Sequence, residues 1–336
     1  MRSALLAWYA ETARPFPWRT PGPRDPYRVL IAEALLQQTQ AARAVAAFER
    51  FVARYPSVQA LASAASEDVL ALWQGLGYYQ RALRLQQCAR AIVERHGGVI
   101  PRDVAVLETL PGIGRYGARA ISAQAFGSDA IAVDANVRRV GARVLALATA
   151  RDTTIEDALA SLLAPAPSAH ARIASLTEAL IELGATVCTP RAPACERCPL
   201  AACCVGRADP TAYARPVRRA RRQSEELRPL VARRDDLVAL VRRPPRGRWA
   251  GLWGFPVASD GLQGRPLAGF EHVLTHRTLA VRPELVAPER LAVAVDWRPL
   301  AQVAAGGGDR PVAVVDQRVA AQLLAHATNV VKEEEA

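Results

Sequence analysis

The chain has 336 residues, 51% of them hydrophobic, and a net charge of +11. The length favours two domains over a single core, and the apolar content excludes a wholly disordered or fibrous chain. Of the 43 basic residues 42 are arginine, and the excess of base over acid points to a polyanionic partner such as nucleic acid.

No apolar run approaches membrane-spanning length, and the first residues lack the order of a secretory signal. A reducing cytoplasmic compartment is expected. From Ser3 to about Leu183 the apolar spacing predicts helices, with recurrences of three and four over 27–47, 71–93, 115–125 and 176–183. Breaks are expected at Pro21-Gly22-Pro23, Gly97-Gly98 and Pro165-Ala166-Pro167.

The first of these segments holds Glu33. On a helix its neighbours at three and four residues are Val29, Leu30, Leu36 and Gln37. If the side chain points inward, burial makes ionisation costly and raises the pKa, as a general acid near neutral pH requires. Taken alone, the segment favours an outward-facing Glu33 on an amphipathic helix. Further on, Gly75-Leu76-Gly77-Tyr78-Tyr79 is a glycine-rich turn that presents an aromatic pair. Tyr78 is suited to wedge into a base stack, although a core role is open for both rings.

Leu110-Pro111-Gly112-Ile113-Gly114 follows. Gly112 and Gly114 permit close backbone approach, and a helix starting near Arg115 aims its N-terminus at the same spot. The hairpin is read as a site for DNA phosphate, which positions DNA without reading its sequence. One helix later comes Val133-Asp134-Ala135-Asn136-Val137-Arg138-Arg139. Asp134 is either a helix N-cap or a carboxylate that stabilises, or attacks, a sugar cation. Two acids flanking a sugar are the equipment of glycosidic cleavage, and a base inside a duplex must be flipped out to reach them.

Five cysteines lie between Cys188 and Cys204. The spacing Cys188-x6-Cys195-x2-Cys198-x5-Cys204 reads as a metal site, for zinc or an iron–sulfur cluster. Cys203 beside Cys204 leaves the fourth ligand open, and Cys88 is expected to be a core thiol. Residues 209–226 form a basic linker candidate. Beyond it, 237–241, 279–286 and 291–295 look like strands and 319–327 like a closing helix, making an α+β domain over 227–327. The acidic tail, 328–336, is expected to fray.

These motifs resemble the helix-hairpin-helix DNA glycosylase superfamily. Glu33-Ala34-Leu35-Leu36-Gln37-Gln38-Thr39-Gln40, the Gly75–Tyr79 turn and the hairpin are similar to the adenine DNA glycosylase branch. The cysteine spacing is similar to that branch's [4Fe–4S] loop, and 247–256 resembles its Nudix-like domain. The resemblance implies a helical glycosylase region, a six-helix barrel with an iron–sulfur cluster domain, over 1–208. An α+β Nudix-like domain follows.

It also implies removal of adenine mispaired with 8-oxoguanine or guanine in double-stranded DNA. A monomer is expected, since no dimerisation stripe appears, acting in the cytoplasm in association with the nucleoid. Glu33 would protonate the base and Asp134 would meet the sugar cation, with Tyr116 and Asn136 in the same pocket. Gly112, Ile113, Gly114, Arg19 and Arg138 would contact DNA. Gln38 and Tyr78 would insert near 8-oxoguanine, which Leu274, Thr275 and His276 would recognise. Cys188, Cys195, Cys198 and Cys204 would hold the [4Fe–4S] cluster. Tyr116 stands where lyase relatives carry a Schiff-base lysine, so strand cleavage by imine chemistry is not expected. Departures are Ala135 for Gly, Arg138 for Lys, and Leu274 where the family has Phe. No Glu-rich Nudix box follows Gly254. A thymine or uracil mismatch glycosylase, and a non-catalytic damage-binding protein, are the alternatives.

Overall fold

The computed structural model describes residues 1–20, 24–128, 130–148, 151–162, 173–213, 222–258 and 262–334. The expected breaks at 21–23 and 165–167, and the arginine-rich part of the linker, lie outside the described residues. The chain divides into two compact units, Met1–Ser63 with Gln87–Arg218, and Ala64–Gln86 with Arg219–Ala336.

The first unit is helical. Its elements are α1 (Arg2–Thr12), α2 (Pro26–Leu36), α3 (Ala41–Arg54) and α4 (Val58–Ser63). After α5 (Ser66–Leu72), which belongs to the second unit, α6 (Gln80–His96) runs through the division between the two. The first unit continues with α7 (Val104–Glu108), α8 (Arg115–Phe126), α9 (Ala135–Val144), α10 (Asp152–Leu162) and α11 (Ile173–Thr186).

Local chemistry sets these boundaries. Asp25 caps α2, accepting the Tyr27 N–H at 2.9 Å, and Pro26 supplies the preset first turn. Asp103 and Asp134 cap α7 and α9 in the same way. Gly127 closes α8 with a left-handed φ of 68°, which glycine adopts without strain. The apolar period over 27–47 belongs to two helices, not one. The break at 37–40 is about one helical turn long, so the spacing keeps its phase across it.

A buried cluster joins α1, α9, α10 and α11 through Leu5, Val137, Val140, Ile155, Leu159 and Leu180. Alpha 11 passes α9 closely at Gly184, where an added Cβ would lie 2.6 Å from the Asn136 Cβ and 3.0 Å from its Cα. Cys88 is a core thiol as expected, its pKa pushed up to about 12 by burial.

In the second unit β1 (Gln223–Leu227) pairs parallel with β8 (Arg277–Val281), which pairs antiparallel with β7 (Phe270–Val273). The strand β4 (Leu237–Arg242) lies between β3 (Arg233–Arg234) and β10 (Asp296–Pro299), with β5 (Trp253–Gly254) at its far end. A third sheet joins β2 (Leu230–Val231), β9 (Glu284–Leu285) and β6 (Arg265–Pro266). The last helices are α12 (Leu300–Ala304) and α13 (Val314–Glu334).

Three boundaries differ from expectation. The linker ends sooner, because Gln223 already pairs with Arg277 in the ladder. The alternating segment 291–295 is not a strand; pairing with β4 begins only at Asp296. The closing helix begins at Val314 and continues to Glu334, so most of the expected tail is helical. Helix α5 and the Tyr78 turn cluster with the C-terminal residues, which the linear sequence does not reveal.

The close passage at Gly184 generates a test. Gly184→Ala must displace the first turn of α9 and should cost about 1–3 kcal/mol in denaturant unfolding. An unchanged unfolding midpoint would contradict the packing.

Candidate active site

Glu33 points inward. It is buried at 6% exposure on α2, among Val29, Leu30 and Leu35, so the outward default does not hold. Helix α8 packs on α2 and supplies its partners. Gln124 donates its amide Nε2–H to Glu33 Oε1 at 2.7 Å, and the Tyr116 hydroxyl also hydrogen-bonds Glu33. Burial raises the Glu33 pKa to about 7, and these two bonds pull against that rise. The negative charges of Asp134 and Glu178 add to it. Burial, followed by the charges of Glu33 and Asp134, holds the Tyr116 phenol well above the ordinary tyrosine value.

Asp134 fulfils the capping role and leaves its second oxygen engaged from the side. Oδ1 accepts the Val137 N–H at 2.7 Å, and Oδ2 accepts Asn136 Nδ2–H at 2.8 Å. Capping fixes the carboxylate at the N-terminus of α9, where the helix dipole favours negative charge. Arg139 donates to Asn136 Oδ1 at 2.9 Å, to the Gly184 carbonyl at 2.6 Å and to the Cys188 carbonyl at 2.7 Å. A continuous set of hydrogen bonds therefore runs from Asp134 to the start of the cysteine loop.

On α11, Glu178 and Glu182 are one turn apart and buried. Glu182 receives Arg14 at 2.5 Å and Arg19 at 3.0 Å, while Glu178 receives Arg24 at 2.7 Å. Burial raises the Glu182 pKa, but the arginines outweigh it and the net shift is downward. Arg19 is not placed as a surface cation. It also lies over the rings of Phe16 and Tyr9, at 4.8 and 5.6 Å.

The hairpin joins α7 to α8. Gly112 and Gly114 are exposed, Gly112 has φ 78°, and Ile113 is half-buried beneath them. Gly114 is the N-cap of α8 and makes no side-chain capping bond. The start of that helix is thus open to an anion. Arg138 is exposed on α9 and pairs with Asp152.

The cysteine loop folds against α9 and α11. Cys188, Cys195, Cys198 and Cys204 line one pocket, together with Arg143, Leu183 and Val187. Arg143, buried beneath it, donates to Cys188 Sγ at 3.4 Å and to the Thr189, Pro190 and Pro210 carbonyls. Cys203 is absent from this lining and turns its thiol to the Leu200 carbonyl at 3.3 Å. That geometry favours Cys204 over Cys203. Among the described residues no three His, Cys, Asp or Glu gather as ligands of one metal ion. Four thiols around a shared pocket are a donor set that fits zinc or an iron–sulfur cluster.

In the second unit the Tyr78 hydroxyl donates to Thr275 Oγ1. Tyr78 is exposed and has φ 49°, a strained conformation for a tyrosine. Tyr79 is buried. Of the expected recognition loop, Leu274 donates its N–H to the Arg277 carbonyl, and the His276 carbonyl accepts from Gln223. Gln38, in the first unit, has φ 57° in the turn after α2.

Sequence reasoning missed Gln124, Glu178, Arg139 and Arg143. A signal for Gln124 exists: residues 116, 120 and 124 are spaced by four, so Gln124 shares the helix face of Tyr116. The others gain meaning only from packing.

The family model for HhH-GPD superfamily base excision DNA repair proteins matches residues 31–165. An adenine DNA glycosylase of Mycolicibacterium smegmatis is 43% identical over 204 residues, 59% of this chain and 67% of the relative. One of Mycobacterium tuberculosis is 45% identical over 201 residues, 59% of this chain and 65% of the relative. A solved thermostable thymine-DNA glycosylase is 29% identical with a TM-score of 0.55, covering 62% of this chain and 94% of that one. The chain belongs to the adenine DNA glycosylase family of the HhH-GPD superfamily. The aligned part spans just under two thirds of the Mycobacterium tuberculosis relative.

The raised pKa of Glu33 also bears on stability. A carboxyl raised from 4.5 to about 7 on folding contributes stability below pH 4.5 and loses it as pH rises through 7. Glu33→Gln should therefore be more stable than the parent above pH 7, by about 1–3 kcal/mol. The difference should close below pH 4.5. A pH-independent difference in chemical denaturation would contradict the burial.

Proposed function

We propose that the protein is a monofunctional adenine DNA glycosylase that hydrolyses the N-glycosidic bond of adenine opposite 8-oxoguanine or guanine. The observation that carries this reading is the buried Glu33 carboxyl, poised near neutrality beside the Tyr116 phenol. A group with a pKa near the working pH is protonated often enough to give up a proton and acidic enough to do so.

The hairpin 110–114 and the start of α8 hold a phosphate, and Arg138, exposed on α9, contacts the DNA as well. DNA is bound as a duplex and the adenine is flipped out. Glu33 gives its proton to a purine ring nitrogen. The C1′–N bond breaks with its electrons staying on the base. Asp134, fixed by the cap and by Asn136, stabilises or captures the sugar cation. The Glu33 carboxylate then takes a proton from water as the hydroxyl joins C1′.

Tyr116 keeps its proton and has no amine, so the chain lacks the nucleophile for an imine at this position. In the second unit Tyr78, with Leu274, Thr275 and His276, recognises the opposite base, the Thr275 hydroxyl and the Tyr78 ring supplying hydrogen bonding and stacking; Gln38 of the first unit inserts into the duplex. Cys188, Cys195, Cys198 and Cys204 hold a [4Fe–4S] cluster, which when bound cross-links their loop. Arg143 and Arg139 brace that loop from α9. The working form is a monomer on cytoplasmic DNA.

The test is a panel of duplexes containing 8-oxoguanine:A, G:A, G:T or G:U, treated with alkali after incubation. Breaks are expected at adenine in the first two duplexes alone. Cleavage of G:T or G:U without adenine release would replace this reading by a mismatch-pyrimidine glycosylase. Borohydride should trap no covalent complex; efficient trapping would contradict the monofunctional assignment.

A further inference from the structure

Glu33 has two carboxyl oxygens, and the structure treats them differently. Gln124 Nε2 lies 2.7 Å from Oε1. A primary amide nitrogen only donates, so Oε1 must accept in both charge states of the acid. We propose that Gln124 is a positioning residue for glycosidic cleavage, fixing Oε1 of Glu33 as the acceptor so that the transferable proton resides on Oε2. This rests on Glu33 being the general acid.

The chemistry follows from that asymmetry. With Oε1 held, the carboxyl plane cannot rotate to exchange its oxygens without breaking the hydrogen bond from the Gln124 amide. The proton on Oε2 passes to the purine nitrogen, and Glu33 is left as a carboxylate. That anion forms inside apolar surroundings, where each donor counts for more than in water. Gln124 and Tyr116 are both in place before the charge appears, so no reorganisation is needed.

The groups that act most on Glu33 come from three elements packed around it. Tyr116 and Gln124 come from α8, Asp134 from the cap of α9, and Glu178 from α11. Glu178 is itself paired with Arg24 at 2.7 Å and Arg19 at 3.7 Å. Among these, Gln124 is the uncharged amide donor, and its loss changes no formal charge. It sits on an Ala-rich helix and stands eight residues after Tyr116 on the same face.

Gln124→Met keeps length and flexibility but removes the donor. Two readouts are needed, one independent of activity. The first is the titration of the Glu33 carboxyl by carbon-13 NMR in the free holoprotein, assigned by its loss in Glu33→Gln. The parent midpoint should lie near 7. In Gln124→Met it should rise by about one unit, since a bond that favoured the anion is gone.

The second is single-turnover adenine release as a function of pH. The alkaline limb should move upward in step, because Glu33 stays protonated to higher pH. The plateau should fall roughly tenfold, because the acid is weaker and less well aimed. Gln124→Glu, with a second carboxyl against Oε1, should raise the Glu33 midpoint further.

A Glu33 midpoint unmoved in both variants overturns the assignment of Gln124. So does a lower plateau with an unmoved limb, which is the mark of a merely structural role. If the midpoint moves but neither parent nor variant releases adenine, the general-acid reading fails while the hydrogen-bond assignment stands.

Discussion

One buried carboxyl group, with no ion-pair partner among the described residues, sets the terms for the rest of the first unit. Glu33 sits on a helix whose other buried residues are Tyr27 and aliphatic side chains, and among the described residues no arginine or lysine forms an ion pair with it. Such a group is costly in the folded state. It persists here because α8 lays Tyr116 and Gln124 against it, two donors on one helix face. The position of α8 depends in turn on the hairpin that precedes it. The motif read as a phosphate site therefore also sets the chemistry of the acid.

Asp134 solves a different problem. Its carboxylate accepts hydrogen bonds from the Val137 N–H in the first turn of α9 and from the Asn136 amide, whereas Glu33 lies buried on an apolar helix face. This division suits a reaction in which one group gives up a proton and the other faces a cation. The same helix start is locked from behind by Gly184, which allows α11 to pass within contact of Asn136. Arg139 extends the constraint to the Cys188 carbonyl. Loop, helix and carboxylate are thus joined by one continuous set of hydrogen bonds.

Much of the site was legible in the sequence because its parts carry local signatures. The hairpin glycines, the cysteine spacing and the Asp-x-Asn helix start each announce a geometry within a few residues. Glu33 was legible as a residue but not in its orientation, since the phase of an apolar helix does not say which other helix covers it. Gln124 and Glu178 were silent for the same reason: their roles depend on contacts between α8, α11 and α2. Arg19, read as a DNA contact, pairs with the acids of α11, a packing contact that no local spacing reveals. In the second unit the strand at 237–241 was legible from its β-branched and aliphatic run. The short ladders were not, because two-residue strands carry no period. That α5 and the Tyr78 turn cluster with residues after 219 has no local signature at all.

The account stands on Glu33 acting as the proton donor. The most direct measurement is single-turnover release of adenine from an 8-oxoguanine:A duplex by Glu33→Gln, alongside mispair binding by the same protein. The account predicts a loss of about 10²- to 10⁴-fold in cleavage with binding retained. Cleavage within a few-fold of the parent would contradict it.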